Sequence, residues 1–226
     1  MKLIHRPLLA ATLALATVFA APARALPTLS QAGNLLANGN FEAGSTSSVN
    51  TGYGVDALSA LTRWRQWANS SGTVSSWVTS PLIEGLHTAE LQGGVNDGLY
   101  QYMGLGGGSY TVSGWVKVQS GAVHLGLAWN GGGAAALTAS ATQSNTWEYL
   151  TVTANGVPGS LGGALVYGAA SGSHYFAEGL WLNSGTTSTS PFAPGAGFNP
   201  SAVPEPGAWA MALGGLALLG RRRRAG

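Results

Sequence analysis

The sequence predicts an all-β sandwich body carried between two apolar terminal segments. Three observations carry this. Only 8 % of the 226 residues are charged and 35 are glycine, a balance that suits strands joined by tight turns. Short apolar runs with period-two alternation recur through the middle of the chain, separated by Gly, Asn and Ser clusters, and no stretch there reads as a helix. The uninterrupted apolar runs lie at the two ends instead.

The first element is residues 1–25. MKLIHRP is short and basic, LLAATLALATVFAA is an apolar run of 14 residues, and APARA offers the small residues Ala23 and Ala25 around a cleavage point. This order is that of a secretory signal peptide, with its apolar run as a helix and cleavage after Ala25. Export fits a chain with no cysteine, which excludes a disulfide framework and cysteine-ligated zinc.

The body follows, residues 26–183. Between Leu26 and Val203 there are three bases (Arg63, Arg65, Lys117) against seven acids (Glu42, Asp56, Glu84, Glu90, Asp97, Glu148, Glu178). Its formal charge is about −4, so the basic overall pI comes from the ends and does not point to nucleic acid. The clearest strand pair is YTVSGWVKV-QSG-AVHLGLAWN. One parity, Val112, Gly114, Val116 and Val118, then Val123, Leu125, Leu127 and Trp129, is apolar. With Ser120-Gly121 as a two-residue loop, Val118 faces Val123 and Val116 faces Leu125 in a hairpin, and a one-residue slip mixes the faces. Trp115 then points away from the core beside Gly126 and near His124, as a tryptophan suited to stacking on a sugar ring. Its alternative is burial under a covering element. Trp64 and Trp67, in RWRQWANSSG among arginines, are the other ligand candidates, with core packing as the alternative. Trp147 and Trp181 read as structural.

Residues 184–202, SGTTSTSPFAPGAGFNPSA, are rich in Ser, Thr, Pro and Gly and read as a linker. Residues 203–226 close the chain. Pro204-Glu205-Pro206 is held extended by its prolines. Fourteen uncharged residues, about 21 Å long as a helix, form a short transmembrane segment. Arg221, Arg222, Arg223 and Arg224 then mark the cytoplasmic side.

Two resemblances follow from these residues. Val203–Gly226 resembles the PEP-CTERM sorting signal of Gram-negative bacteria in all three of its parts. That implies processing by an exosortase, an inner-membrane intermediate, and delivery to the cell surface or an exopolysaccharide-containing biofilm matrix. The body, over about 34–183, resembles galactose-binding-like jelly rolls, in particular carbohydrate-binding modules. The resemblance rests on N-L-L-A-N-G-N-F-E at Asn34–Glu42 as an opening strand, Leu99–Met103, Tyr110–Val118, Thr146–Tyr149 and His174–Leu182. It implies a jelly roll, polysaccharide as a partner, and a structural calcium held by Glu42 and Glu178. The last strand departs from the family by carrying one glutamate where aspartates are usual. Phe176, Glu178, Leu180 and Leu182 share a parity that reads as buried. The alternatives to a metal there are a carboxylate satisfied by backbone amides, or a bulge that turns it outward.

No phosphate-binding loop, nucleophile elbow or H-E-x-x-H pattern occurs, and GLGGGS at 104–109 lacks the Lys-Ser/Thr of a P-loop. The reading is therefore non-catalytic binding, with no certain cofactor. A structural surface protein without a small ligand is the alternative. A glycan hydrolase built on two of Glu84, Glu90, Asp97 and Glu148 is the third reading.

Overall fold

The computed structural model describes residues 28–196 except 53, 55, 70, 71 and 130–134. The signal peptide with Ala23 and Ala25, and the motif Pro204-Glu205-Pro206 with its apolar segment and arginines, lie outside these residues. Twelve strands form: β1 Val49–Thr51, β2 Asp56–Leu58, β3 Arg65–Trp67, β4 Thr73–Val78, β5 Thr88–Gly93, β6 Gly98–Leu105, β7 Gly108–Ser120, β8 Ala122–Ala128, β9 Leu137–Thr142, β10 Trp147–Val157, β11 Ser160–Gly168 and β12 Ser173–Ser184. They make two six-stranded antiparallel sheets, β1-β4-β5-β12-β7-β10 and β2-β3-β6-β11-β8-β9, and no helix occurs among the described residues. The body is thus an all-β sandwich.

Alternation explains the core. Val112, Val116 and Val118 of β7 and Val123, Leu125 and Leu127 of β8 are fully buried in one cluster with Leu91, Leu99, Val166 and Leu182. The parity of both strands is the one read from the sequence, but the hairpin is not formed. β7 pairs with β10 and β12, whereas β8 pairs with β9 and β11. Ser120-Gly121 turns the chain from one sheet into the other, with Gly121 at φ 74°. Two apolar faces meet equally well across a sandwich and along a hairpin, so alternation fixes the face of a strand and not its neighbour.

This corrects the Trp115 expectation. Trp115 does point outward from β7, away from the core between the sheets, but it is only 6 % exposed. Residues 184–196, expected as linker, cross that face. Phe192 is fully buried with Trp115, Trp181 and Ile83, and its carbonyl accepts the Trp115 Nε1–H at 2.7 Å. The Trp181 indole donates to Thr189 Oγ1, and Ser188 bonds both Ser113 and Tyr149. Gly179, at φ 60°, admits the ring: a Cβ there would lie 3.0 Å from Phe192 Cγ.

Gly179 also belongs to a bulge. The register of β12 on β7 shifts between Glu178 and Trp181, and the parity changes with it. Tyr175 and Ala177 face the core before the bulge, Leu180 and Leu182 after it. Glu178 is therefore turned out of the inter-sheet core, although it remains fully buried. The opening segment Asn34–Glu42 is a chain of turns rather than a strand. Asn38 and Phe41 both lie at φ 55°, and the Asn34 amide stands in for a strand by bonding Leu180 O and Leu182 N.

Phe192→Ala is expected to lower the unfolding free energy by about 3 kcal/mol, read by denaturant titration. Trp115→Ala is expected to cost about as much. An unchanged midpoint for Phe192→Ala contradicts a packed 184–196 segment.

Candidate functional site

On the outer face of the second sheet the described residues leave a cleft, with Trp67, Tyr100 and Tyr102 half-buried and Tyr167 and Leu165 buried beside it. The register of this sheet aligns side chains of one parity into rows. Asp56, Trp67, Gly98, Tyr167, His124 and Ser140 lie side by side across the six strands. Leu58, Arg65, Tyr100, Leu165, Gly126 and Thr138 form the next row. Tyr102 follows Tyr100 along β6, opposite Gly163. Their opposite-parity neighbours Leu99 and Val166 are core, so the strand period alone brings these rings to one surface.

The rings form a continuous arc. Centroids are 4.6 Å apart for Tyr102 and Tyr100, 5.6 Å for Tyr100 and Trp67, 5.9 Å for Trp67 and Tyr167, and 5.2 Å for Tyr167 and His124. Trp67 and Tyr167 stand on strands two places apart, roughly 10 Å at the backbone, and close that gap by leaning over Gly98. A Cβ at Gly98 would lie 2.5 Å from Tyr167 Cβ. The arc from Tyr102 to Tyr167 lines a cleft of about 430 Å³ with Asp56, Asn69, Asn96, Ala135 and Leu165. Apolar ring faces edged by a few polar groups are the usual make-up of a ligand cleft.

The polar groups are held in place. Tyr100 donates its hydroxyl to Asp56 Oδ2 at 2.6 Å, and Arg65 Nε donates to Asp56 Oδ1 at 3.1 Å and Tyr100 Oη at 3.0 Å. Burial and the Asp56 carboxylate hold the Tyr100 hydroxyl above its ordinary pKa. The Arg65–Asp56 pair is about half exposed, so its part is to fix geometry rather than to add stability. His124 bonds Ser140 Oγ at 2.7 Å, and burial lowers its pKa, favouring the neutral ring.

Of the four tryptophan and histidine candidates, the structure brings Trp67 into this cleft and leaves His124 outside its lining, against Tyr167 on the same sheet face. It places Trp115 under the 184–196 segment of the other sheet, and Trp64 in the core. Trp64 is fully buried, 5.3 Å from Phe41, with its indole donating to Asn38 O. Tyr100, Tyr102 and Tyr167 were not singled out from the sequence. Their signal is there, since Tyr100 and Tyr102 alternate with Leu99 and Tyr167 follows core Val166. Asn69 and Asn96 lie in loops, where no periodicity marks them.

The carboxylates expected as calcium ligands lie elsewhere. Glu178 accepts Ile83 N–H at 3.0 Å and Glu84 N–H at 2.9 Å, and Glu42 accepts Leu86 N–H and His87 N–H. Both are satisfied by backbone amides, the alternative weighed above. Among the described residues no group of three or more His, Asp or Glu side chains stands where it could hold a metal ion, so this donor set does not match the six to eight oxygens calcium takes. Glu84 is the unsettled member. It accepts Leu29 N–H at 2.6 Å through Oε2, while its buried Oε1 meets no donor. Burial above all, aided by the Glu42 charge, raises its pKa from 4.5 to about 7.

A folded-state pKa above the unfolded one gives stability that is complete below the unfolded value and declines as pH rises through the folded value. Stability is therefore expected to fall between pH 4.5 and about 7. Glu84→Gln, which keeps an acceptor for Leu29, is expected to raise the unfolding free energy by about 2 kcal/mol at pH 8 and by nothing near pH 4.5. Urea titrations in chelator at the two pH values read this. An equal effect at both contradicts it.

No family model matches the sequence, and no curated protein matches it. Among solved structures the chain is similar to the CBM22-1 xylan-binding domain of Paenibacillus barcinonensis Xyn10C, at 11 % identity over 65 % of this chain and 99 % of that one, with a TM-score of 0.44. It is similar to TmCBM61 in complex with β-1,4-galactotriose, at 17 % identity over 67 % and 99 % of the two chains, TM-score 0.38. A further likeness is to the C-terminal family 22 carbohydrate-binding module of Clostridium thermocellum Xyn10B, at 12 % identity over 61 % and 96 %, TM-score 0.45. Likenesses this distant carry no argument about ligand, which rests on the residues of the cleft.

Proposed function

We propose that this protein is an exported, non-catalytic carbohydrate-binding module whose ligand lies in the aromatic cleft of the second sheet. The observation that carries the proposal is the arc Tyr102, Tyr100, Trp67 and Tyr167, four rings in sequence lining one cleft. Sugar rings offer flat C–H faces to such platforms, and buried aromatic area dominates binding energy. Asp56, Asn69 and Asn96 at the edge supply donors and acceptors for hydroxyl groups.

A hydrolytic reading finds less support. Glycoside hydrolysis uses two carboxyl groups flanking one bond. Asp56 is the one carboxylate lining the cleft among the described residues. Of the four acids named from the sequence, Glu84 is buried beside Glu178, Glu90 pairs with His174 on the other sheet, Asp97 is buried with both oxygens bonded, and Glu148 bonds Ser144.

The ends of the chain complete the proposal. A signal peptide sends the module out of the cytoplasm, and the Pro204-Glu205-Pro206 motif with Arg221–Arg224 makes it an exosortase substrate. The module passes through the inner membrane to the surface or an exopolysaccharide matrix.

Trp67→Ala and Tyr100→Ala are each expected to weaken binding to the glycan that a panel of β-1,4-linked oligosaccharides selects by about 10- to 100-fold, with the fold retained by circular dichroism. Unchanged affinity in both contradicts the cleft reading. Mass spectrometry of the mature protein is expected to find a C-terminus near residue 204, and a chain still carrying Arg221–Arg224 contradicts the sorting reading.

A further inference from the structure

We infer that Asp97 is a positioning residue for ligand recognition, holding the backbone segments that carry Asn69 and Asn96 at the rim of the cleft. This rests on the carbohydrate-binding reading of that cleft. Asp97 is 1 % exposed and does not line the cleft, whereas Asn69 and Asn96 do.

The geometry joins three segments of chain. Asp97 Oδ1 accepts the backbone N–H of Asn69 at 2.5 Å, fixing the chain as it leaves β3. Its Oδ2 accepts Gly94 N–H at 2.7 Å, which closes the turn between β5 and β6. Its own carbonyl accepts Gly168 N–H, while Asn96 N–H donates to Gly168 O, so the turn is tied to the end of β11. That is the strand carrying Tyr167. Gly93 allows this closeness, since a Cβ there would lie 2.8 Å from Asp97 Cβ.

Within this turn Asn96 is held at φ 59°, a left-handed conformation that asparagine accepts more readily than most residues. A short surface turn left to itself samples many conformations, and ordering it on binding reduces affinity. A buried carboxylate with two N–H donors does that ordering before the ligand arrives. The two backbone segments that carry Asn69 and Asn96 therefore share one support, and that support does not line the cleft.

The test uses the full chain and two variants. Asp97→Asn presents an NH2 group where one acceptor was. Asp97→Glu keeps the charge and displaces both oxygens by a methylene. The first readout needs no ligand: 15N relaxation of backbone amides is expected to show Asn69 and Asn96 gaining fast mobility in both variants, while Leu182 and Thr189, whose N–H groups are bonded elsewhere to Asn34 and Asn183 Oδ1, stay as they are. Unchanged Asn69 and Asn96 amides overturn the inference.

The second readout is affinity for xylohexaose. Asp97→Asn is expected to weaken it about tenfold, but by less than twofold when Asn69 and Asn96 are already alanine. A tenfold loss that persists in that background marks a general structural role and overturns the inference. Failure of the cleft reading shows separately, as affinity untouched by Tyr100→Ala, and the mobility readout stands apart from it.

Discussion

Phe192 rests on Gly179 and accepts the Trp115 indole N–H through its carbonyl. A two-sheet sandwich has two outer faces, and both of these carry large aromatic side chains. On the first sheet Trp115, Trp181 and Tyr149 are covered by residues 184–196, and their polar atoms find partners there. The half-buried rings of the second sheet, Trp67, Tyr100 and Tyr102, are then the informative ones, because apolar area left accessible in a cleft usually marks a contact surface. The same Gly179 lies where the register of β12 on β7 shifts. That bulge leaves Glu178 outside the core, brings Leu180 and Leu182 into it, and makes room for the ring that closes this face.

The two faces also differ in their glycines. Gly98, Gly126 and Gly163 lie in the rows of the second sheet's outer face. At these positions a Cβ would come within about 2.0–2.5 Å of neighbouring atoms. At Gly98 the missing side chain lets the rings of Trp67 and Tyr167, on alternate strands, lean together into one surface. An arc of aromatic rings is thereby produced by strand period, register and an absent side chain, with a polar edge from Asp56 on β2 and from the loops that carry Asn69 and Asn96.

Much of the fold was legible because alternation is a local property. The buried faces of β7 and β8 and the all-β class followed from it directly. Which strands pair did not, since Val118 and Val123 satisfy the same apolar contact across the sandwich as along a hairpin. That choice moved Trp115 and His124, read as neighbours, to opposite sides of the molecule. The 184–196 segment was read as linker because its composition is polar, and composition averages away one well-placed phenylalanine. The site was legible only in fragments. The sequence reading names Trp67 and His124, places Tyr100 and Tyr102 in a strand and leaves out Tyr167, because a surface exists only once register is known. Asn69 is fixed by Asp97 and Asn96 by Gly168, long-range contacts that no periodicity encodes.

The central claim, that the aromatic cleft of the second sheet is where a glycan docks, is tested most directly by following the indole N–H resonances of the eight tryptophans as a β-1,4-linked oligosaccharide is added. The account predicts that the Trp67 indole shifts and saturates, while the indoles of Trp64, Trp115 and Trp181, buried in the core or under residues 184–196, hold still. Saturable shifts at Trp115 or Trp147 with Trp67 unmoved would place the ligand on the other sheet and contradict it.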